Sequence, residues 1–153
     1  SRVAVSTEQG LQSSDLKPES ATRFKSTRAV AHAGVELAKM AGASRILVAT
    51  ERGNAPRLVS SYRPGIPVTA VTDSLVTARR IQILSGVDSV IVEEYERGSK
   101  TMQNAIALQL DSGKVQPGDK IVAISGSPKA ISGLTSTARL YKISNSGEIV
   151  GTE

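Results

Sequence analysis

Two hydrophobic periods alternate along the chain. From Ser26, the residues Val30, Gly34, Leu37, Ala38 and Ala41 recur at the three-four spacing of an amphipathic helix, and Gly42 supplies a plausible C-terminal stop. "RILVA" (45–49) is then a short, nearly continuous apolar run, the pattern of a strand covered on both faces. A second helix is expected over residues 54–62, with Pro56 tolerated in its first turn because no helical bond needs its missing N–H. "PVTAV" (67–71) reads as a second strand. "DSLVTARRIQILSG" reads as a helix with Asp73 or Ser74 as N-cap and Gly86 beyond its end. "VDSVIVE" (87–93) is a third strand, and an acidic loop leads into a helix carrying Met102, Ala105, Ile106 and Leu110. The turn "QPGD" (116–119) uses Pro to set φ and Gly to accept a positive φ. After it come "KIVAIS" (120–125), a long Gly/Ser/Pro loop, "STARLYKI" (136–143), the turn "SNSG" and a short tail, "EIVGTE".

Strands alternating with helices connect by right-handed crossovers. The pattern therefore predicts a three-layer α/β fold: an open, mostly parallel sheet of about five strands, helices on both faces, and one antiparallel edge strand. Residues 1–22 are polar with no sustained period and read as a lead-in or linker; residues 23–153 read as one α/β domain.

At 153 residues the chain is one domain long. Its aromatics are only Phe24, Tyr62, Tyr95 and Tyr141, so the core is expected to consist of Val, Ile, Leu and Ala. With no cysteine, disulfides and thiolate metal sites are excluded, and no apolar run approaches the roughly 20 residues that span a bilayer. The expected location is cytoplasmic, with no membrane partner. The net charge of +5 is concentrated early: between Lys17 and Arg80 there are eleven Lys or Arg against four acids. Such an excess favours an anionic partner. Nucleic acid is not expected, since there is no stacking set of aromatics and no binding motif; a small phosphorylated ligand fits better.

In an open α/β sheet, ligands bind beyond the carboxyl ends of strands where the strand order reverses. The turn Thr50-Glu51-Arg52-Gly53-Asn54-Ala55 follows the first strand and opens a helix. Thr50 brings a hydroxyl, Gly53 lets backbone approach a ligand, and helix-opening amides suit an anion. The same residues also serve a plain βα connection that needs Gly for geometry alone. The loop at 125–137 is expected at the same end, with Ser132, Gly133, Leu134 and Thr135 as donors and Lys129 as charge; a flexible connection is the alternative. His32 has no catalytic neighbour at a suitable spacing, Arg79 and Arg80 read as a solvated helix face or an intersubunit pair, and Glu93, Glu94 and Glu96 read as a solvated loop. No catalytic or metal-ligating residue is assigned. There is no GxxxxGK[ST] loop and no GxGxxG fingerprint.

Taken in order, "VATERGNAPRLVSSYRPGIPVTAVTDSLVTARRIQILSGVDSVIV" and "VQPGDKIVAISGSPKAISGLTSTARLYKI" resemble the C-terminal domain of pyruvate kinase. That family reads T-[KE]-[ST]-G-[RK]-[ST]-A, "YRP", "P-I-I-A-V-T", "T-A-R", K-x-G-D and "SG…SG-x-T-N". The resemblance implies a regulatory and oligomerisation domain of a glycolytic enzyme, binding a sugar phosphate, inorganic phosphate or sulfate through residues 50–55 and the 129–135 loop. It further implies a homo-oligomer and a separate barrel domain that carries the catalytic residues and uses Mg and K, this domain holding no cofactor of its own. The departures are Arg52 at the family's second hydroxyl, Asn54 at its following basic position, Ala55 at its last hydroxyl, and Thr101 beside Lys100 near the arginine of eukaryotic members. Other readings are a structural domain whose effector site is lost, and a free-standing domain with its own binding role.

Overall fold

The computed structural model describes residues 18–84, 86–93, 99–126 and 135–151, and the side chains among them except those of residues 18–24 and Ser99. In chain order the elements are α1 (Pro18–Ala41), β1 (Arg45–Ala49), α2 (Asn54–Ser61), β2 (Val68–Thr72), α3 (Leu75–Ile81), β3 (Val87–Ile91), α4 (Ser99–Asp111), β4 (Lys120–Ser125), β5 (Thr137–Ile143) and β6 (Ile149–Gly151). They form a six-stranded sheet in the order β3-β2-β1-β4-β5-β6. β1 pairs in parallel with both β2 and β4, β2 pairs in parallel with β3, and β5 and β6 complete the sheet antiparallel.

The apolar runs explain the middle of the sheet. Every residue of β2 is buried, as are four of five in β1 and five of six in β4. Side chains of a strand alternate between its faces, so each central strand feeds two cores. Ile46, Val48, Val68, Ala70, Val122 and Ile124 pack with Ala31, Val35 and Ala38 of α1 and Ala55 and Val59 of α2 on one face; Ile81 of α3 joins them. On the other face Leu47, Ala49, Val71, Ile121 and Ala123 pack under Met102, Ala105 and Ile106 of α4. The three-layer α/β reading holds, with α1, α2 and α3 on one side and α4 on the other.

The stripe read on α1 is its buried face. Gly34 lies where this helix crosses β4, and a Cβ there would stand 2.5 Å from Cδ1 of Ile124. The missing side chain sets how closely helix and sheet approach. α1 begins at Pro18, earlier than the stripe, with proline at the first helical position where its fixed φ is already helical. The tail expected at 148–153 departs from the reading: residues 149–151 are β6, so the sheet has six strands and its antiparallel edge is a hairpin, not a single strand.

Candidate functional site

β1 is where the strand order reverses. The chain leaves it to build β2 and β3 on one side, and β4 later fills the other. With Val48 opposite Ile124 in a parallel pair, the ends of β1 and β4 emerge side by side on one rim. Ser136 N donates to Ser125 O at 3.0 Å, and Thr137 lies opposite Ser125, so the chain re-enters the sheet at the same rim. The sequence-expected juxtaposition of residues 50–55 with the end of the 125–137 loop is therefore present. Thr135 is buried at that rim, whereas Lys129, Ser132, Gly133 and Leu134 lie outside the described residues, as do Glu94 and Glu96 of the acidic loop.

A hydroxyl residue closes each of the three inner parallel strands: Thr50 follows β1, Thr72 ends β2 and Ser125 ends β4, all buried. "LVAT", "TAVT" and "VAIS" carry this signal in the sequence, which the motif reading registered only at Thr50. Thr72 Oγ1 accepts from Ser74 N at 3.2 Å, and Ser74 caps α3 by accepting from Thr77 N at 3.2 Å.

The 50–53 turn is tightly built. Thr50 Oγ1 accepts a hydrogen bond from Gly53 N at 2.7 Å, and the Thr77 hydroxyl donates to Glu51 O at 2.8 Å. Gly53, as N-cap of α2, has φ 97°, a left-handed value that costs any residue with a Cβ. Arg57 N donates to Gly53 O at 3.4 Å, the first bond of the helix. By helical geometry the amides of Asn54 and Ala55 have no intrahelical acceptor, and Pro56 contributes no N–H. Arg52 and Asn54 are exposed while Ala55 is buried. The turn thus offers two helix-opening amides, a guanidinium free to reach over them, and the hydroxyl proton of Thr50. The Gly53 amide itself is spent inside the turn, on Thr50 Oγ1.

The remaining singled-out residues sit apart. His32 is exposed on α1, stacks on Tyr62 with ring centroids 5.2 Å apart, and lies 3.9 Å from Glu36. Arg79 and Arg80 are exposed in the last turn of α3. Thr101 is buried in the first turn of α4, beside exposed Lys100. An open groove at the opposite rim is lined by Ser60, Arg63, Pro64, Ile66, Pro67 and Gly86, and none of the candidate residues reaches it.

One charged cluster was not foreseen. Arg45 Nη1 donates to Thr69 Oγ1 at 2.8 Å and contacts Asp88 Oδ1 at 3.4 Å; Thr69 donates to the same oxygen at 2.6 Å, and Lys114 Nζ to Asp88 Oδ2 at 2.6 Å. Burial pushes the Asp88 carboxyl up, but the bonds from Lys114 and Thr69 with the charges of Arg45 and Lys114 outweigh it and hold the pKa below its ordinary value. The cluster ties β1, β2 and β3 to the turn after α4, at the end of the sheet away from Thr50.

The family model for the pyruvate kinase alpha/beta domain matches residues 28–141. A pyruvate kinase of Eimeria tenella is 32% identical over 122 residues, covering 80% of this chain and 23% of that protein. One of Clostridium acetobutylicum is 36% identical over 101 residues, covering 66% of this chain and 21% of that protein. Among solved structures, a pyruvate kinase of Cryptosporidium parvum aligns with a TM-score of 0.69 at 27% identity, covering 76% of this chain and 22% of that chain. The chain spans less than a quarter of the length of these relatives. β6 falls beyond the matched span. By sequence and by fold, the chain belongs to the pyruvate kinase family, as its C-terminal alpha/beta domain.

Proposed function

We propose that the chain is the regulatory and oligomerisation domain of a pyruvate kinase, and that it binds a phosphorylated effector, or inorganic phosphate or sulfate, at the rim where β1 and β4 end. In this reading the longer protein transfers a phosphoryl group from phosphoenolpyruvate to ADP, with Mg and K held by its barrel domain. This chain supplies no catalytic group. It biases the longer protein by binding its ligand with different affinity in two states, and it works in the cytoplasm as part of a homo-oligomer.

The observation that carries the reading is the convergence of Thr50, the opening amides of α2 and Thr135 on one rim at the point of strand reversal. An oxyanion placed there meets the positive end of α2 and lies within reach of Arg52, whose planar fork suits a phosphate. The exposed set is small, which fits a single phosphoryl group better than two.

A second reading, a structural and oligomerising domain without a ligand, is favoured by the closed Thr50–Gly53 bond. Calorimetric titration of the full chain with inorganic phosphate, sulfate and a hexose monophosphate separates the two. The first reading predicts saturable heat below millimolar concentration, with affinity about ten- to a hundredfold weaker in Arg52→Ala, as expected for a charged hydrogen bond of about 1.5–3 kcal/mol. The second predicts no heat beyond dilution in either protein.

A further inference from the structure

The layer beneath α4 is apolar except at one end, where two buried polar atoms stand without partners. Nε of Arg45 and Oε1 of Gln109 are both closed to solvent, and neither has a hydrogen-bond partner among the described residues. We propose that a single buried water binds between them, accepting from Arg45 Nε and donating to Gln109 Oε1.

The topology brings the two side chains to the same place. Successive side chains of a strand point to opposite faces, so Arg45 shares the α4 side of β1 with Leu47 and Ala49. In β2, Thr69 shares that side with Val71, and Asp88 lies opposite Thr69. β1 to β4 all run parallel, so α4, which joins β3 to β4, runs back against them and ends over their first residues. Gln109 lies one turn beyond Ala105 and Ile106, which face this core, and so occupies the same helix face nearer that end. It is 2% exposed. Its carbonyl accepts from Lys114 N at 2.9 Å, Val115 N at 3.4 Å and Ser112 Oγ at 3.1 Å. Lys114 is also the residue whose Nζ reaches Asp88. The turn that anchors Gln109 therefore closes over the cluster of Arg45, Thr69 and Asp88.

Arg45 is held by its tip. Nη1 donates to Thr69 Oγ1 at 2.8 Å and contacts Asp88 Oδ1 at 3.4 Å. The guanidinium is planar and its donors diverge in a fixed fork, so fixing the tip also fixes the direction of the Nε–H. Leu47, Val71, Ile106, Val115 and Ile121, which fill the rest of the layer, offer no side-chain acceptor. A buried donor and a buried acceptor left unbonded are costly, and internal waters relieve that cost, typically with about three hydrogen bonds each.

Water suits these atoms better than an ion does. An anion would face Gln109 Oε1 and the Asp88 carboxylate, and a cation would face Arg45. Water alone accepts from one atom and donates to the other. Thr69 Oγ1 accepts one bond and gives its own proton to Asp88, which leaves it a lone pair for the water's second proton. The water thus links the last turn of α4 to the start of β1.

Rotating-frame Overhauser spectroscopy of the 15N-labelled full chain tests this. The Arg45 Nε–H is expected to be visible and to show a cross-peak to a water held longer than surface hydration. That cross-peak is expected to be lost in Gln109→Met, which keeps the length of the side chain and removes its acceptor. An Nε–H lost to fast exchange, an absent cross-peak, or one that persists unchanged in the folded variant overturns the proposal. Where the variant does not fold, a crystal structure of the unaltered chain decides. One ordered water within hydrogen-bond reach of both atoms supports the bridge; a direct bond between the two side chains, or separate waters on each, refutes it.

Discussion

Gly53 shows how one residue sets the candidate site. Its φ of 97° turns the chain from β1 into α2 and aims its amide at Thr50. A Cβ there meets no atom nearer than Cγ1 of Ile81 at 3.7 Å, so substitution isolates the backbone cost from crowding. Gly53→Ala is expected to lower unfolding stability by about 1–2 kcal/mol, read from urea denaturation. A loss near zero would mean that the turn relaxes to a negative φ, and that the Thr50 bond does not define it. The glycine was legible in the sequence because a sharp βα turn calls for one. The capture of its amide was not, since a hydroxyl three residues earlier serves as easily for a ligand as for the turn itself.

At the scale of elements, Asp88 fastens three strands and the turn after α4. Its carboxyl is partly exposed, with Lys114 half-exposed and Arg45 nearly buried. Its folded pKa lies below the ordinary 3.8, so the cluster contributes its stability in full above the unfolded value. As pH falls below about 4 the unfolded chain takes up the proton first, and that contribution is lost as pH drops through the folded pKa. Asp88→Asn is expected to flatten the acid limb of stability against pH while lowering stability at pH 7, measured by chemical denaturation at several pH values. An acid limb unchanged in the variant would assign the effect to other carboxylates. Nothing in the local sequence announces this cluster, because Arg45, Thr69, Asp88 and Lys114 come together only when the strands pair. β6 escaped for a related reason. Three residues are too few to establish a period, and "IVG" becomes a strand only because β5 offers it an edge. The central strands, by contrast, were plain from their runs: a strand buried on both faces has nowhere to place a charge.

Over the whole molecule, parallel pairing of β1 with β2 and β4 puts the turn after Thr50 and the end of the loop before Thr137 on the same rim. That topology was legible because alternating strands and helices leave few right-handed arrangements. The family pattern was legible from ordered motifs, even where Arg52, Asn54 and Ala55 depart from it. What the sequence left open is whether the rim holds a ligand, since a helix-opening turn has the same residues with or without one. Site-resolved amide chemical shifts during a titration of the full chain with inorganic phosphate at constant ionic strength answer this most directly. The account predicts saturable shifts centred on residues 50–55 and on the loop from Ser125 to Thr137. Shifts absent there at millimolar phosphate, or clustered instead around Arg63 and Gly86 at the opposite rim, would contradict it.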